Sequence, residues 1–314
     1  MPEFEPAYLQ LLRSGELKRR VEEAHTMLEE CRLCGRECGV NRLESAKGAA
    51  CRTGEKASVS SFNPHFGEEN PLVGVRGSGT IFFTNCNLNC QFCQNYDISQ
   101  LGQGREVESE EVAAMMLHLQ SQGCHNINFV SPTHVMPQIM AALLIAAEQG
   151  LRVPLVHNTG GYDNLGALRL LDGIVDIYMP DMKYAHEEVG RKYSKVENYP
   201  GVNQAGVTEM HRQVGDLVMD EQGTAQRGLL VRHLVLPHGL AGTAEIVEFL
   251  AQEISPETYL NVMSQYRPAY KAHDYPRINR PPTTEELQEA VNLAQKAGLT
   301  RLDERRPRLM WLLR

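Results

Sequence analysis

The stretch Thr84-Asn85-Cys86-Asn87-Leu88-Asn89-Cys90-Gln91-Phe92-Cys93 constrains this chain more than any other. Its three cysteines are spaced C-x3-C-x2-C, with an aromatic, Phe92, just before the third. They follow a short apolar run, Thr80-Ile81-Phe82-Phe83, that reads as a strand. Three thiolates at a strand-to-loop corner can ligate three irons of a cubane [4Fe–4S] cluster, which ordinarily takes four cysteines. The motif offers no fourth, so one iron stays open to a chelating molecule. The alternative is a structural zinc site completed by histidine or water, although zinc more often uses paired C-x2-C arms.

A second group of cysteines precedes the motif, Cys31-x2-Cys34-x3-Cys38-x12-Cys51, interleaved with Gly35, Gly39 and Gly48. Four thiols in so short and glycine-rich a segment read as a closed metal site, whose metal would supply much of the segment's folding free energy. Tetrahedral zinc and a second, fully ligated iron–sulfur cluster both suit four thiolates. Four free thiols are the bland alternative. With eight cysteines in all, metals come before disulfides in a reducing compartment. Cys124 is left over and reads as a buried free thiol.

The 314 residues can bury a large core. A net charge of −8 argues against a nucleic-acid partner, and the Arg-rich stretch 301–314 is a local exception that reads as a solvated terminus. Lacking an N-terminal apolar segment or a long apolar run, the chain is expected to be cytoplasmic, with no membrane partner.

Residues 1–30 carry apolar positions at helical spacing and predict a helix. Residues 55–80 form a connector in which Ala57-Ser58-Val59-Ser60 alternates like a strand until Ser61-Phe62 breaks the pattern. Glu68 and Glu69 lie on this connector and read as solvated, or as facing the cluster. From residue 80 strands and helices alternate. Strands are predicted over Thr80–Phe83, Ile127–Val130, Val153–His157, Ile174–Met179, Leu229–Leu236 and Tyr259–Met263, with helices over Ser109–Gln122, Val135–Gln149 and Asn164–Leu171. The alternation predicts an α/β fold with a parallel sheet covered by helices and with ligands at the carboxyl ends of the strands. The segment 185–222 is polar and mostly helical, and Thr283–Gly298 reads as a helix with a Thr-Thr-Glu-Glu start and a glycine stop.

The C-x3-C-x2-C spacing with Phe92 resembles the signature of the radical S-adenosylmethionine (SAM) enzymes. The wider run, from Gly67-Glu68-Glu69 through Gly77-Ser78-Gly79-Thr80 to Cys93-Gln94-Asn95, is similar to the pyruvate formate-lyase activating enzyme-like branch. The resemblance implies a partial (βα)6 barrel over 60–300, with the small cysteine-bearing module, 1–59, before it and a tail, 301–314, after it. It implies that Cys86, Cys90 and Cys93 hold a [4Fe–4S] cluster whose open iron chelates SAM, and that Phe92 belongs to the cofactor site. Reductive cleavage of SAM then gives a 5′-deoxyadenosyl radical that abstracts a hydrogen atom. The reductant would be a protein such as flavodoxin or ferredoxin.

The strand ends supply further candidates. Ser131-Pro132-Thr133-His134 stands where relatives receive the SAM amino group, and Ser131 and Thr133 read equally as binding or as helix-capping residues. Asn158, before Gly160-Gly161, resembles the Thr-Asn-Gly strand end of activating enzymes and is a candidate for SAM or substrate. Asp181 and Lys183 resemble their Asp-x-Lys pair. Period-two spacing puts both on one face, where lysine suits a carboxylate and aspartate suits an amino group or ribose, unless they form a surface salt bridge. His238, at the end of the fifth strand, is placed near ribose or substrate, and Gln265, Tyr266 and Arg267 near the mouth. The expected activity is an oxidoreductase of the glycyl-radical-activating type, acting on a protein or peptide. The alternatives are radical SAM chemistry on a small molecule and a non-catalytic iron–sulfur or zinc protein.

Overall fold

The computed structural model describes residues 4–303. The apolar end Met310-Trp311-Leu312-Leu313, and all but the first three residues of the stretch 301–314, lie outside the described residues. Two helices, α1 (Tyr8–Ser14) and α2 (Glu16–Thr26), replace the single helix expected over 1–30. The break falls at Gly15, whose φ of 78° lies in the left-handed region that glycine adopts without a Cβ penalty. The connector also holds more structure than its composition suggests. Strand β1 (Ala57–His65) runs on past the broken alternation, because Val59 pairs with Phe83 and Ser61 with Phe82, leaving one residue over as a bulge. A short helix, α3 (Asn70–Val73), follows.

The remaining elements are β2 (Ser78–Phe83), α4 (Tyr96–Ser99), β3 (Arg105–Val107), α5 (Ser109–Ser121), β4 (Ile127–Val130), α6 (Met136–Glu148), β5 (Leu155–Thr159), α7 (Leu165–Leu170), β6 (Ile177–Pro180), α8 (Glu187–Ser194), α9 (Tyr199–Val214), β7 (Val218–Met219), β8 (Ala225–Leu234), α10 (Thr243–Phe249), β9 (Tyr259–Met263) and α11 (Thr284–Lys296). Helix α11 is closed by a capping box between Thr283 and Glu286.

Six strands run parallel in the order β2-β4-β5-β6-β8-β9. Antiparallel β1, which carries β3, occupies the free side of β2. The six-stranded run is therefore an open, partial (βα)6 barrel. Its strands are buried on both faces, so most read as continuous apolar runs. The outer face, with Ile81, Phe129, Leu155, Tyr178 and Val231, packs beneath the helices in the main core. On the inner face Val156, Ile177, Met179 and Leu230 pack with Leu72 of α3 into a smaller core. The inner face then turns polar toward the carboxyl ends, where Asn158, Asp181 and Arg232 stand two residues beyond Val156, Met179 and Leu230. Among the described residues, no helix is long and apolar enough to cross a membrane.

Candidate active site at the carboxyl ends of the strands

The three-cysteine loop leaves β2 and folds over the barrel mouth. Each thiol has at least one hydrogen-bond partner, and Cys86 Sγ also donates to Asn87 Oδ1 at 3.7 Å. The amide N–H of Leu88 donates to Cys86 Sγ at 3.4 Å, Cys90 Sγ lies 3.0 Å from Ser194 Oγ, and Cys93 Sγ lies 3.1 Å from Ser99 Oγ. Burial pushes the Cys86 thiol up to about 12 and the Cys90 thiol up to about 11, and neighbouring thiols add to both shifts. Lys183 pulls each of them partly back. Thiols buried in this way ionise readily only beside strong positive charge, which a bound metal centre supplies. Phe92 is buried and packs edge-on against Tyr266 and Tyr184, at centroid distances of 5.6 and 6.5 Å.

Beside this loop lies a buried chain of charges. Lys183 Nζ donates to Asp181 Oδ2 at 2.5 Å, and Arg232 Nε donates to Asp181 Oδ1 at 2.8 Å. Arg232 Nη2 also donates to Asn158 Oδ1 at 2.6 Å. The pair is not a surface salt bridge, since the Lys183 and Asp181 side chains are only 14% and 11% exposed. Burial alone would raise the Asp181 carboxyl, but Arg232 and Lys183 outweigh it and hold the group below its usual range. Burial would likewise lower Lys183, and Asp181 with Cys90 holds it above its usual range. The next turn fits only glycine at Gly161, where φ is 73° and a Cβ would stand 2.2 Å from the Asp181 carbonyl.

The chain of charges continues inward to Glu69, expected either to be solvated or to face the cluster. Glu69 is 6% exposed, accepts from Asn261 Nδ2 at 2.8 Å and lies 4.0 Å from Arg232. Burial raises its pKa against the pull of Arg232, and its Oε2 has no partner. Asn128 of β4 is fully buried with neither amide atom hydrogen-bonded.

Other candidates stand apart from these charges. Ser131, just past β4, has φ at 60°, a strained value for a non-glycine residue, and its N–H donates to the Asn158 carbonyl. The Thr133 hydroxyl lies 2.9 Å from that of Thr159 and donates to Asp163 at 2.7 Å, and neither Ser131 nor Thr133 caps the following helix. His238 is exposed on a left-handed turn, bonded to Glu286 and Arg280 rather than to the strand-end charges. Tyr266 is buried, its hydroxyl donating to the Ile278 carbonyl, while Arg267 is exposed.

In the amino-terminal module Cys31, Cys34 and Cys51 are buried and Cys38 is half-buried. Burial pushes Cys34 up to about 12, and the charges of Cys51, Cys38 and Cys31 add to it. The module touches the motif loop directly. Arg36 Nε donates to the Asn87 carbonyl at 2.5 Å, and Arg52 donates to the carbonyls of Gln100 and Ser99 at 2.7 and 3.1 Å.

A sequence model of the radical SAM superfamily matches residues 80–218, which hold the thiol loop, Asn158, Asp181 and Lys183. "Uncharacterized protein MJ0674" of Methanocaldococcus jannaschii is 35% identical over 301 residues, covering 93% of this chain and 82% of that protein. Residues 80–218 belong to the radical SAM superfamily. Among solved structures, a radical SAM methyltransferase from Sphaerobacter thermophilus is similar with a TM-score of 0.47 and 14% identity, over 70% of this chain and 64% of that one. Streptococcus suis SuiB bound to precursor peptide SuiA gives a TM-score of 0.49 and 12% identity, over 70% of this chain and 46% of that one. The chain thus spans less than two thirds of the length of either solved protein. Membership of the radical SAM superfamily implies a [4Fe–4S] cluster and SAM, and a set of three thiols beside a lysine, Cys90 buried and Cys86 and Cys93 half-buried, fits that implication.

Arg232, Asn128, Ser99 and Ser194 are the residues that sequence reasoning passed over. Arg232 had a signal: it is a charge inside the apolar run Leu229–Leu236. The two serines had none.

Proposed function

We propose that this radical SAM enzyme abstracts a hydrogen atom from a protein or peptide, in the manner of glycyl-radical activating enzymes. When bound, a reduced [4Fe–4S] cluster with SAM would supply the radical chemistry that removes the substrate hydrogen. Cys86, Cys90 and Cys93 would hold three irons, their hydrogen bonds from Leu88, Ser194 and Ser99 offsetting charge on the sulfurs. Lys183 would receive the SAM carboxylate, and Asp181, kept ionised by Arg232, the amino group or ribose. Arg232 and Asn158 fix the position of Asp181. The observation that carries this reading is the Lys183–Asp181–Arg232 chain buried beside the thiol loop.

The test uses a cell extract labelled with deuterium and split by size. The reduced holoenzyme is expected to transfer deuterium into 5′-deoxyadenosine from the macromolecular fraction. Transfer from the small-molecule fraction alone would favour a small-molecule substrate.

A further inference from the structure

We propose that Cys31, Cys34, Cys38 and Cys51 hold an anionic four-thiolate metal centre and that Arg42 is its buried counter-cation. Arg42 is the observation that demands a charge. It is 1% exposed, and its guanidinium donates to the Thr53 and Gly54 carbonyls at 2.7 and 3.0 Å and to Cys31 Sγ at 3.6 Å. No carboxylate among the described residues pairs with it. A buried cation needs a compensating anion. Four neutral thiols supply none, whereas zinc or a cubane held by four thiolates carries a net charge of about −2.

The geometry places that anion beside the guanidinium. The segment folds back on itself, with the Cys31 N–H donating to the Val40 carbonyl at 3.0 Å and the Gly39 N–H to the Cys31 carbonyl at 2.9 Å. Arg42 then spans from Cys31 to Thr53, two residues past Cys51, so one side chain ties the first cysteine to the backbone just beyond the last. Among the described residues no three ligating side chains stand at single-ion spacing. A lone zinc ion must therefore draw these thiols inward, whereas a cubane, with its wider ligand shell, needs less movement.

The centre would also brace the catalytic loop. Arg36, between the second and third ligands, holds the Asn87 carbonyl, and Arg52, next to the fourth, holds the Ser99 carbonyl. Asn87 follows Cys86, and the Ser99 hydroxyl touches Cys93 Sγ. The proposal does not depend on the reaction or substrate proposed above.

The test is metal and sulfide analysis of the full chain, purified anaerobically, with Cys86, Cys90 and Cys93 all replaced by alanine. This variant has lost the motif's cluster. It is expected to keep about one zinc ion or about four irons with sulfide per chain, the two results distinguishing the forms of the centre. A folded variant with neither metal overturns the proposal. In the otherwise wild-type chain, Arg42→Met is expected to weaken retention of that metal against a chelator by about 10- to 100-fold, and Arg42→Lys by less. Equal retention in all three proteins overturns the role of Arg42.

Discussion

Asp181 and Lys183 stand two residues apart on one face of an extended segment, and the structure joins them inside the barrel mouth rather than on its surface. The expectation for Lys183→Met follows from that burial. Asp181 keeps Arg232 as partner, so the fold persists, while one charge-assisted hydrogen bond to SAM, worth about 1.5–3 kcal/mol, is lost. SAM binding should weaken about 10- to 150-fold, with iron content unchanged. Titration of SAM into the reconstituted variant checks this, and unchanged affinity would remove Lys183 from the SAM site. Ser194→Ala removes a hydrogen bond to Cys90 Sγ and should make the cluster's midpoint potential more negative, as read in a redox titration followed by electron paramagnetic resonance. An unchanged potential would mean that Ser194 does not tune the cluster. The thiol motif was legible because its spacing is local. Ser194 lies 104 residues from Cys90, and Asn261 lies 192 from Glu69, so only tertiary contact reveals them.

At the scale of elements the apolar runs announced the six parallel strands, because burial on both faces leaves a strand little polarity. Their ends were less legible where polar residues are satisfied by tertiary contacts. Expected over Ile174–Met179, β6 begins instead at Ile177, after Asp176 has turned to accept the backbone N–H groups of Ala7 and Leu155 at 2.9 and 3.1 Å. Burial raises the Asp176 carboxyl from its model-compound value of 3.8 to about 7. The folded chain therefore keeps a proton that the unfolded chain releases between those values. The stabilisation is whole below the unfolded pKa and is lost as pH rises through the folded one. Asp176→Asn cannot ionise, so its stability relative to wild type should rise between about pH 4 and pH 7, by at most about 1.4 kcal/mol per pH unit. Denaturant melts of both proteins across that range check the slope, and a difference independent of pH contradicts it.

On the scale of the whole molecule, the amino-terminal segment runs the height of the barrel. It starts where Ala7 and Tyr8 bond to Asp176 and Val153 at the amino ends of β6 and β5, passes along α6 and α7 as α2, and ends as the four-cysteine module against the thiol loop. Composition marked the module but not this path, because no local pattern encodes which strand a helix docks on. The path brings both sets of cysteines to one end of the sheet, where parallel folds bind ligands. The central claim, that this end cleaves SAM, is tested most directly by 5′-deoxyadenosine formation in the reduced, anaerobically reconstituted protein supplied with SAM. Wild type is expected to form it, and Cys86→Ala, whose cluster would keep only two thiolates of the motif, to form none above background. A wild-type protein with its full complement of iron that formed none, or a Cys86→Ala variant that matched the wild-type rate, would contradict the account.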